Sequence, residues 1–538
     1  MNSPSLLEVV DLNVSFGSTR VVKDLSLEVR SGEVLGLVGA SGSGKSMTAL
    51  GIMRLLPHHA ASSGVVRLNG EILSAASETQ LQAIRGRDVG MVFQEPMSAL
   101  NPLMRIGDQV AETIRLHRRT SDAEARRVAR EALDYVGLTG EQGALDRLPY
   151  ELSGGQRQRV AIAMAVVMSP RLLIADEPTT ALDVIAQAQI LLLLQQLVRT
   201  RNMGLILVTH DLAVVAQLAD RVAVMRQGEI VEQAATGQIL RQPRHDYTAA
   251  LLAAARLPPK RASVPRAGMS VPPAVPVLQV HAVVREYPRK RRSLWRPAPP
   301  LRAVDGVSLT VHAGETVGLV GESGSGKSSL LKVILALEPT QAGEVSLRGE
   351  PLPSAKGAVM RRLRRAIQAV FQDPYGSFDP KWTVERLVGE PFFLLTSPPS
   401  AAERRSRVDM VLEQVGLSAS DAKRLPREFS GGERQRIAIA RALITEPDLI
   451  TFDEAVSALD VLVREQVLNL LAELAQRLKL SYLFVSHDLH VIRAIADRIY
   501  VMQLGRIVEE GPTEAVFSAP RHACTQALIA ATPNLPVT

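Results

Sequence analysis

The stretch GASGSGKS, residues 39–46, returns in the sequence as GESGSGKS, residues 321–328. In loops of the pattern GxxxxGK[ST], glycines let backbone N–H groups turn inward on phosphates, the lysine reaches phosphate oxygens, and the hydroxyl ligates Mg²⁺. An apolar strand is predicted before each copy. A helix is expected to begin at Lys45 and at Lys327, which points the positive end of its dipole at an anion. The sequence therefore predicts two phosphate-binding loops in one chain.

The spacing of later motifs indicates that the whole surrounding segment is duplicated. Lys45 and Lys327 lie 282 positions apart, and Gln94 and Gln372 lie 278 apart. Four further pairs share one offset of 277, namely Ser153 and Ser430, Glu177 and Glu454, Asp183 and Asp460, and His210 and His487. A register kept over half of a chain predicts two domains of one fold.

Composition excludes several classes of protein. The 538 residues are 46% hydrophobic with a mean hydropathy of +0.08, yet no run of ~18 uninterrupted apolar residues suggests a membrane span. The N-terminus lacks a basic region followed by an apolar segment, so no secretory signal is expected. The single cysteine, Cys524, excludes an intramolecular disulfide and a cysteine-built cluster, and fits a reducing cytoplasm.

The chain is basic. Its net charge of +7 and pI of about 9.6 suit nucleic acid, a ribosome or an anionic membrane surface, and charge alone does not choose among them. Arginines concentrate at 361–365 and in the run from Arg289 to Arg292. Each cluster is interpreted as a solvated face.

Apolar segments alternate with helical patterns along each half. Strands are predicted at residues 9–16, 25–29, 34–38, 89–93, 172–175, 205–208 and 317–320. This alternation is typical of parallel sheets, so the predicted fold class is α/β. From Pro102 to about Met168 the pattern is helical, which indicates an inserted α subdomain. Its longest apolar stretch, residues 160–168, is predicted to be a buried helix.

Proline marks the boundary between the halves. Six prolines lie in residues 257–277, which stiffens a linker and excludes a long helix. The predicted domains are residues 1–256 and 278–538, joined by this linker, with helical subdomains at about 97–168 and 375–445. A second stretch rich in proline and arginine, residues 288–300, is expected to form an exposed hairpin tip carrying Trp295.

Two acids follow an apolar strand in each half, in LLIADE and LITFDE. Asp176 and Asp453 are predicted to serve the Mg²⁺ shell, and Glu177 and Glu454 to polarise an attacking water as general bases. Acids at strand ends are common in α/β proteins. Their position downstream of a phosphate loop is what makes the interpretation specific.

LSGGQ at 152–156 and FSGGE at 429–433 allow two interpretations. Serine followed three residues later by Gln or Glu is a helix capping box, and taken alone this interpretation is favoured. Two glycines also leave free access to N–H groups at a helix start, which together with the serine hydroxyl can grip a γ-phosphate. Both interpretations can hold together.

These signatures, placed between a phosphate loop and an acid pair, resemble the ATP-binding cassette (ABC) superfamily over nearly the whole chain, twice. The resemblance implies two tandem P-loop ATPase domains, each a RecA-like α/β core with an antiparallel β subdomain and an inserted α-helical subdomain. In that family the signature of one lobe closes over the nucleotide held by the other. One implied site joins the Lys45 loop to Ser430, and the other joins the Lys327 loop to Ser153.

ATP and Mg²⁺ are the implied cofactors. The residues implied to contact ATP are Phe16, Gly39, Ala40, Ser41, Gly42, Ser43, Gly44, Lys45, Ser46, Met47, Gln94, Ser153, Gly154, Gly155 and Gln156 in the first half. Their counterparts in the second half are Tyr287, Gly321, Glu322, Ser323, Gly324, Ser325, Gly326, Lys327, Ser328, Ser329, Gln372, Ser430, Gly431, Gly432 and Glu433. The implied metal ligands are Ser46, Gln94, Asp176, Ser328, Gln372 and Asp453.

The resemblance to the ABC superfamily implies further roles. Gln94 and Gln372 are implied to contact Mg²⁺ or water and to signal to a partner. The family places a catalytic histidine beside the γ-phosphate and an aspartate at the dimer interface, positions matched by His210 and His487 and by Asp183 and Asp460. Phe16 and Tyr287 lie where the family stacks an aromatic ring on adenine, although simple strand packing would also explain them.

The second half departs from the family pattern at two positions. Glu433 replaces the common glutamine, and Ala455 replaces a proline that Pro178 supplies in the first half. Glu433 retains the ability to cap a helix but adds negative charge near the site of Lys45. Because base, lysine and histidine are present in both halves, two competent sites are predicted.

Each half ends alike, in PRHDYTAALLAA and PRHACTQALIAATP. These endings, with FQEPMSALNP and FQDPYGSFDP, are similar to the peptide and nickel branch of ABC importers. The resemblance implies ATP-driven uptake of di- or oligopeptides, or of a related solute such as glutathione. The implied partners are two transmembrane permease subunits and an extracytoplasmic solute-binding protein, at the cytoplasmic face of the inner membrane, without nucleic acid.

Two alternatives belong to other classes. Soluble tandem ABC ATPases that act on ribosomes would suit the basic charge, but they join their lobes by a long charged helix, unlike the proline-broken linker. Sugar-import ATPases usually carry one degraded site, whereas both sites here are intact. Some relatives bind an iron–sulfur cluster through several cysteines, which Cys524 alone cannot do.

Overall fold

The computed structural model describes residues 5–94, 99–138, 144–180, 182–257, 275–288, 299–352 and 357–535. Most of the predicted linker, the Arg289 to Arg292 run and Trp295 lie outside these ranges. The part described before the linker is called the first lobe, and the part after it the second lobe. Within the described residues, no helix has the length and apolar character needed to cross a membrane.

The first lobe alternates strands and helices. Its strands are β1 Ser5–Phe16, β2 Thr19–Arg30, β3 Val34–Val38, β4 Ala60–Leu68, β5 Glu71–Ile72, β6 Val89–Val92, β7 Leu172–Asp176, β8 Gly204–Thr209, β9 Arg221–Arg226 and β10 Glu229–Ala235. Its helices are α1 Lys45–Ile52, α2 Glu78–Ile84, α3 Ile106–His117, α4 Asp122–Tyr135, α5 Gly154–Val166, α6 Val184–Arg201, α7 Leu212–Leu218, α8 Thr236–Arg241 and α9 Asp246–Ala255. Short 3₁₀ turns lie at Ala144–Asp146 and Pro149–Glu151.

The second lobe repeats this order. Its strands are β11 Leu278–Tyr287, β12 Leu301–Val311, β13 Thr316–Val320, β14 Ala342–Leu347, β15 Glu350–Pro351, β16 Ile367–Val370, β17 Leu449–Asp453, β18 Ser481–Val485, β19 Arg498–Gln503 and β20 Arg506–Pro512. Its helices are α10 Lys327–Ile334, α11 Gly357–Ala366, α12 Val384–Gly389, α13 Ala401–Gln414, α14 Gly431–Leu443, α15 Val461–Leu478, α16 Leu489–Ile495, α17 Thr513–Ser518 and α18 Ala523–Ala531. Its 3₁₀ turns are Glu390–Leu394, Ala419–Lys423 and Pro426–Glu428.

Two sheets form each lobe. The larger sheet of the first lobe has the order β10-β9-β3-β8-β7-β6 and is parallel except for the β9–β10 edge. The smaller sheet, β2-β1-β4-β5, is antiparallel. The second lobe repeats both orders. Every residue of β3 is buried, as expected for a central parallel strand covered on both faces. The predicted α/β class and tandem architecture are confirmed.

The predicted strands differ from the observed ones mainly in length. The first two, expected at 9–16 and 25–29, extend to 5–16 and 19–30, because Leu7 pairs with Val29 and Val22 pairs with Val14, and both added side chains are buried in the core. The strands flanking the proposed hairpin tip do pair, with Tyr287 opposite Leu301, but the tip itself is outside the described residues.

A helical layer stands beside each large sheet. In α4 the side chains of Ala125, Ala129 and Leu133 recur at every fourth position and are buried, which gives the helix one apolar stripe. Ser121 accepts a hydrogen bond from the N–H of Glu124 and so fixes the start of that helix. The apolar segment predicted as a buried helix at 160–168 lies in α5, which ends at Val166.

The two lobes meet along the helices that follow the acid pairs. Helix α9 of the first lobe packs on α15 of the second, and α18 of the second lobe packs on α6 of the first. Ile185 packs against the apolar core of the second lobe, and Leu462 packs against a cluster of the first. This reciprocal packing joins the carboxyl-terminal edges of both large sheets at one seam.

Candidate active site at the seam between two lobes

Each phosphate loop wraps the start of a helix. Gly44 and Gly326 lie at the N-caps of α1 and α10 with φ of 102° and 106°, a region open to glycine but not to most residues. A Cβ at Gly44 would lie 2.6 Å from the carbonyl oxygen of Val21, and one at Gly326 would lie 2.1 Å from that of Ala303. Any side chain at these two positions would therefore break the loop.

The loop lysines are buried beneath the loops. Lys45 is 5% exposed and donates to the carbonyls of Gly39 and Ala40, at 2.8 and 3.0 Å. Lys327 is 6% exposed and donates to Gly321 and Glu322, at 2.8 Å each. Burial lowers the pKa of both ammonium groups, and nearby acids oppose that shift. The opposing acids come from both lobes.

The first acid of each pair lies at the end of a central strand. In the first lobe Ser46 Oγ donates to Asp176 Oδ1 at 3.2 Å, which brings a hydroxyl and a carboxylate oxygen together beside the phosphate loop. Burial raises the pKa of Asp176 to about 6, although the Ser46 bond opposes it. Burial also raises the pKa of Asp453. Two hard oxygen groups beside a phosphate loop fit Mg²⁺, which keeps several waters and takes few protein ligands.

The carboxylate of Glu177, the second acid of the first lobe, is contacted by three polar side chains. Gln94 Nε2 donates to its Oε2 at 3.0 Å, and Thr180 Oγ1 donates to the same oxygen at 2.8 Å. His210 Nδ1 lies 3.2 Å from the other oxygen, Oε1. Burial alone would raise the pKa of Glu177, but the His210 contact and the Thr180 hydroxyl lower it to about 2. The carboxylate is therefore ionised and oriented.

Among the described residues, the carboxylate of Glu454 in the second lobe has two side-chain partners where that of Glu177 has three. Gln372 Nε2 donates to Glu454 Oε2 at 3.1 Å, and His487 Nδ1 lies 3.1 Å from Glu454 Oε1. Burial opposes ionisation of both partners, yet their mutual contact lowers the pKa of Glu454 and raises that of His487. Ser457, at the position of Thr180, donates instead to the backbone carbonyl of Glu454, at 2.8 Å.

The signature serines cap the helices that follow them. Ser153 accepts from the N–H of Gln156 at 3.2 Å, and Gln156 Oε1 accepts from the N–H of Ser153 at 3.0 Å. In the second lobe Glu433 Oε2 accepts from both the N–H and the hydroxyl of Ser430, at 2.8 Å each. Those two bonds lower the pKa of Glu433. Both signatures are capping boxes, and Glu433 additionally holds the serine hydroxyl.

Aspartates from each lobe approach the phosphate loop of the other. Asp183 caps α6 through Oδ1, and its Oδ2 accepts from the N–H of Ser323 in the second lobe at 3.2 Å. Asp460 caps α15 at Val463, and its charge raises the pKa of Lys45 against the effect of burial. Within the described residues, neither Ser153 nor Ser430 hydrogen-bonds to the opposite loop.

The two predicted adenine-stacking residues end corresponding strands. Phe16 is half-buried with its ring 5.2 Å from that of His59. The hydroxyl of Tyr287 donates to Glu338 at 2.5 Å, and the Arg285 guanidinium lies 4.6 Å from the ring centre. One face of Tyr287 is thus already covered by a cation.

Two contacts at the site were not predicted from the sequence motifs. Thr180 lies inside DEPTTALD, where its hydroxyl had no assigned role. Tyr247, in the C-terminal ending of the first lobe, accepts a hydrogen bond from the N–H of Ala40 in the phosphate loop at 3.0 Å. Cys524 takes the place of Tyr247 in the aligned ending of the second lobe. The mismatch between the two endings was the only sequence signal for this contact.

The sequence matches known families along most of its length. The model described as "ABC transporter" matches residues 22–180 and 304–457, and "Oligopeptide/dipeptide transporter, C-terminal region" matches 231–275 and 508–537. The chain is 44% identical to the glutathione import ATP-binding proteins GsiA of Salmonella choleraesuis and Escherichia coli O6:H1, over 99% of this chain and 90% of each relative. A solved structure of cbiO1 from Clostridium perfringens, part of the ABC transporter complex cbiONQ, is 25% identical with a TM-score of 0.39, covering 45% of this chain and 91% of that one.

Two phosphate loops with an acid pair each, facing one seam, define a tandem P-loop ATPase. The chain belongs to the ABC transporter family of ATPases, with two fused nucleotide-binding domains of the oligopeptide and dipeptide transporter type.

Proposed function

We propose that this chain hydrolyses ATP at two composite sites and thereby drives uptake of di- or oligopeptides, or of glutathione, through a membrane transporter. The observation that carries the composite arrangement is the bond from the N–H of Ser323 to Asp183, which places an acid of one lobe on the phosphate loop of the other. The charge of Asp460 near Lys45 supports the reciprocal arrangement.

Mg²⁺ would be held by Ser46 with Asp176 and by Ser328 with Asp453, and its role would be to neutralise charge on the phosphates. Glu177 and Glu454 act as general bases because each is ionised and directly follows the end of a central strand, β7 or β17. His210 and His487 hold the other oxygen of each base. Gln94 and Gln372 donate to the bases, so a movement of either glutamine would change the position of the carboxylate.

The signature serines complete the sites from the opposite lobe in this proposal. Each starts a helix of thirteen residues, so its N–H groups and the helix dipole face an incoming anion. Because neither serine contacts the opposite loop in the structure, closure of the seam around nucleotide is part of the proposal. The division into domains 1–256 and 278–538 about linker 257–277 is proposed with it.

The transported solute is proposed from the relatives. The GsiA proteins are named for glutathione import, and both C-terminal endings match the oligopeptide and dipeptide transporter model. The proposal includes two permease subunits and an extracytoplasmic solute-binding protein, with the chain peripheral at the cytoplasmic face of the inner membrane. Action on ribosomes is not favoured, since full-length similarity is to import proteins.

Uptake by cells tests the proposed function. In a strain lacking the gene, entry of radiolabelled glutathione and of a labelled dipeptide should be lost and should return when the chain is restored. A chain carrying both E177Q and E454Q is the matched control, because it should bind ATP without supporting uptake. Unchanged uptake of both solutes, together with sedimentation of the chain with ribosomes at moderate salt, would overturn the transport assignment.

A further inference from the structure

We propose that Thr180 is a positioning residue for the base Glu177. The second lobe has serine in its place, so the carboxylate of Glu454 is held by fewer contacts than that of Glu177. This inference rests on the proposed role of Glu177. Thr180 Oγ1 donates to Glu177 Oε2 at 2.8 Å, the shortest of the three described contacts to that carboxylate. Two donors therefore hold Oε2 while His210 holds Oε1, which fixes the plane of the carboxylate.

The local backbone explains why residue 180 reaches the carboxylate. Glu177 adopts a φ of 46°, and its own N–H donates to Val208 of the neighbouring strand at 2.9 Å. The N–H of Thr180 then donates back to the carbonyl of Glu177 at 3.2 Å, closing a tight turn. In such a turn the first and fourth side chains lie side by side. Threonine is stiff at χ1, so its hydroxyl stays where the turn puts it.

The second lobe makes the same turn with a different result. Glu454 has a φ of 49°, and the N–H of Ser457 donates to the carbonyl of Glu454 at 3.1 Å. The Ser457 hydroxyl, however, donates to that same carbonyl at 2.8 Å and leaves the carboxylate to Gln372 and His487. The two turns have the same backbone conformation. They differ in the atom that accepts from the side-chain hydroxyl, which is the carboxylate in the first lobe and the backbone carbonyl in the second.

The consequence concerns alignment of the attacking water. A general base works only when its lone pair points at the proton it removes, and small misplacements cost large factors in rate. Glu177 is held at both oxygens without any help from Gln94, whereas Glu454 depends on Gln372 to hold Oε2. The first lobe should thus keep its base oriented even when the glutamine segment moves, and the second lobe should not.

The experiment measures steady-state ATP hydrolysis of the full chain in two backgrounds. In the E454Q background, where Glu177 is the remaining base, T180V should lower kcat about 5- to 20-fold with little change in KM, as expected for loss of a bond to a charged group. T180S gives the first turn the serine of the second turn, whose hydroxyl donates to the backbone carbonyl, so T180S should lower kcat by a similar factor. The reverse variant, S457T in the E177Q background, should raise kcat, because it gives the second turn the threonine of the first. In the E177Q background T180V should have no further effect. S457A is the matched control, because its hydroxyl does not touch the carboxylate, and it should leave kcat of the E177Q chain unchanged.

The outcomes separate this inference from the assignment of the base. Normal turnover by the E177Q/E454Q double variant would overturn the proposed function of both glutamates. Loss of turnover in that variant, with T180V equal to its parent, would overturn only the positioning role. A T180V effect of the same size in both backgrounds, or an S457T variant that gains nothing, would also overturn it, since the role of Thr180 would then be structural. If T180V does not fold, T180A in the E454Q background and S457T in the E177Q background answer the same question.

Discussion

The two nucleotide sites have the same backbone conformation but differ in the hydrogen bonds that their polar side chains make. In the first lobe Thr180 and Ser46 turn their hydroxyls toward Glu177 and Asp176. In the second lobe Ser457 donates to a backbone carbonyl, and within the described residues no bond joins Ser328 to Asp453. A substitution that keeps a motif recognisable in the sequence can therefore still change the hydrogen-bond partners of its side chains.

The opposite asymmetry appears in the signatures. Ser153 keeps a hydroxyl hydrogen that no described residue accepts, whereas Ser430 donates its hydroxyl to Glu433. If the sites are composite, the well-ordered base of the first lobe faces the engaged serine, and the less restrained base of the second lobe faces the free one. Each composite site would then pair a firmly held base with a serine whose hydroxyl is already engaged, or a less restrained base with a serine whose hydroxyl is available.

The largest expected effect comes from removing the bases. Converting both Glu177 and Glu454 to Gln should lower kcat by ~10² or more, because general-base catalysis typically contributes that much, while ATP stays bound. Phosphate release and retention of labelled ATP measure the two quantities. The single variants sharpen the comparison, since equal losses from E177Q and E454Q would show that the two bases contribute alike.

The seam contact should have the next largest effect. D183A removes both the bond to Ser323 and the cap of α6, and should lower turnover by about tenfold if the seam must close around ATP. Steady-state hydrolysis measures the loss. D183N separates the two roles, because its one carbonyl oxygen can still cap α6 whereas its NH₂ group cannot accept from the N–H of Ser323. It should therefore lose turnover as D183A does. A D183A chain that hydrolyses ATP at the parent rate would contradict a composite site there.

Replacing Glu433 should change the signature of the second lobe by a smaller factor. A neutral amide oxygen accepts a weaker bond than a carboxylate, so E433Q should release the Ser430 hydroxyl and improve kcat/KM by about two- to fivefold. Hydrolysis over a range of ATP concentrations measures the change. The mirrored variant Q156E should impair the enzyme in the same proportion. Improvement by both variants, or by neither, would show that the engaged serine does not limit the site.

Much of each site followed from the sequence because its parts are local. A phosphate loop, an acid pair at a strand end and a capping box are each set by a few consecutive residues, so their types and spacing define their geometry. The central strands were equally readable, since strands buried on both faces are continuously apolar. The residues implied to bind ATP, metal and the interface were assigned by resemblance, and their roles stay predictions.

What the sequence did not reveal depends on long-range contacts or on the direction of one hydroxyl. Resemblance assigned Asp183 to the interface but did not name its partner Ser323, which lies 140 positions away in the chain. The acceptors of Thr180 and Ser457 differ within one turn type, so only the folded side chains distinguish them. The extra length of β1 and β2 came from cross-strand pairs such as Leu7 with Val29 and Val14 with Val22, which are visible only once both strands are in place.

The smallest expected effect concerns Tyr247, which ties the C-terminal ending of the first lobe to its phosphate loop. Its phenol accepts from Ala40, and His245 Nδ1 accepts from the N–H of Tyr247 at 3.1 Å, so the start of α9 is fixed beside the loop. Y247F leaves the ring in place and removes one acceptor, which should weaken ATP binding at the first loop by about twofold, at the low end for a single neutral hydrogen bond. Titration of the E177Q/E454Q chain with ATP measures the affinity without turnover.

The second lobe provides the control for that measurement. Cys524 is buried at the position of Tyr247, and the described bond there runs from its own N–H to His522 Nδ1 at 3.2 Å, not from the side chain to the loop. C524A should therefore leave ATP affinity unchanged where Y247F lowers it. If both substitutions weaken binding equally, the endings act through packing alone, and the phenol of Tyr247 does not distinguish the two loops.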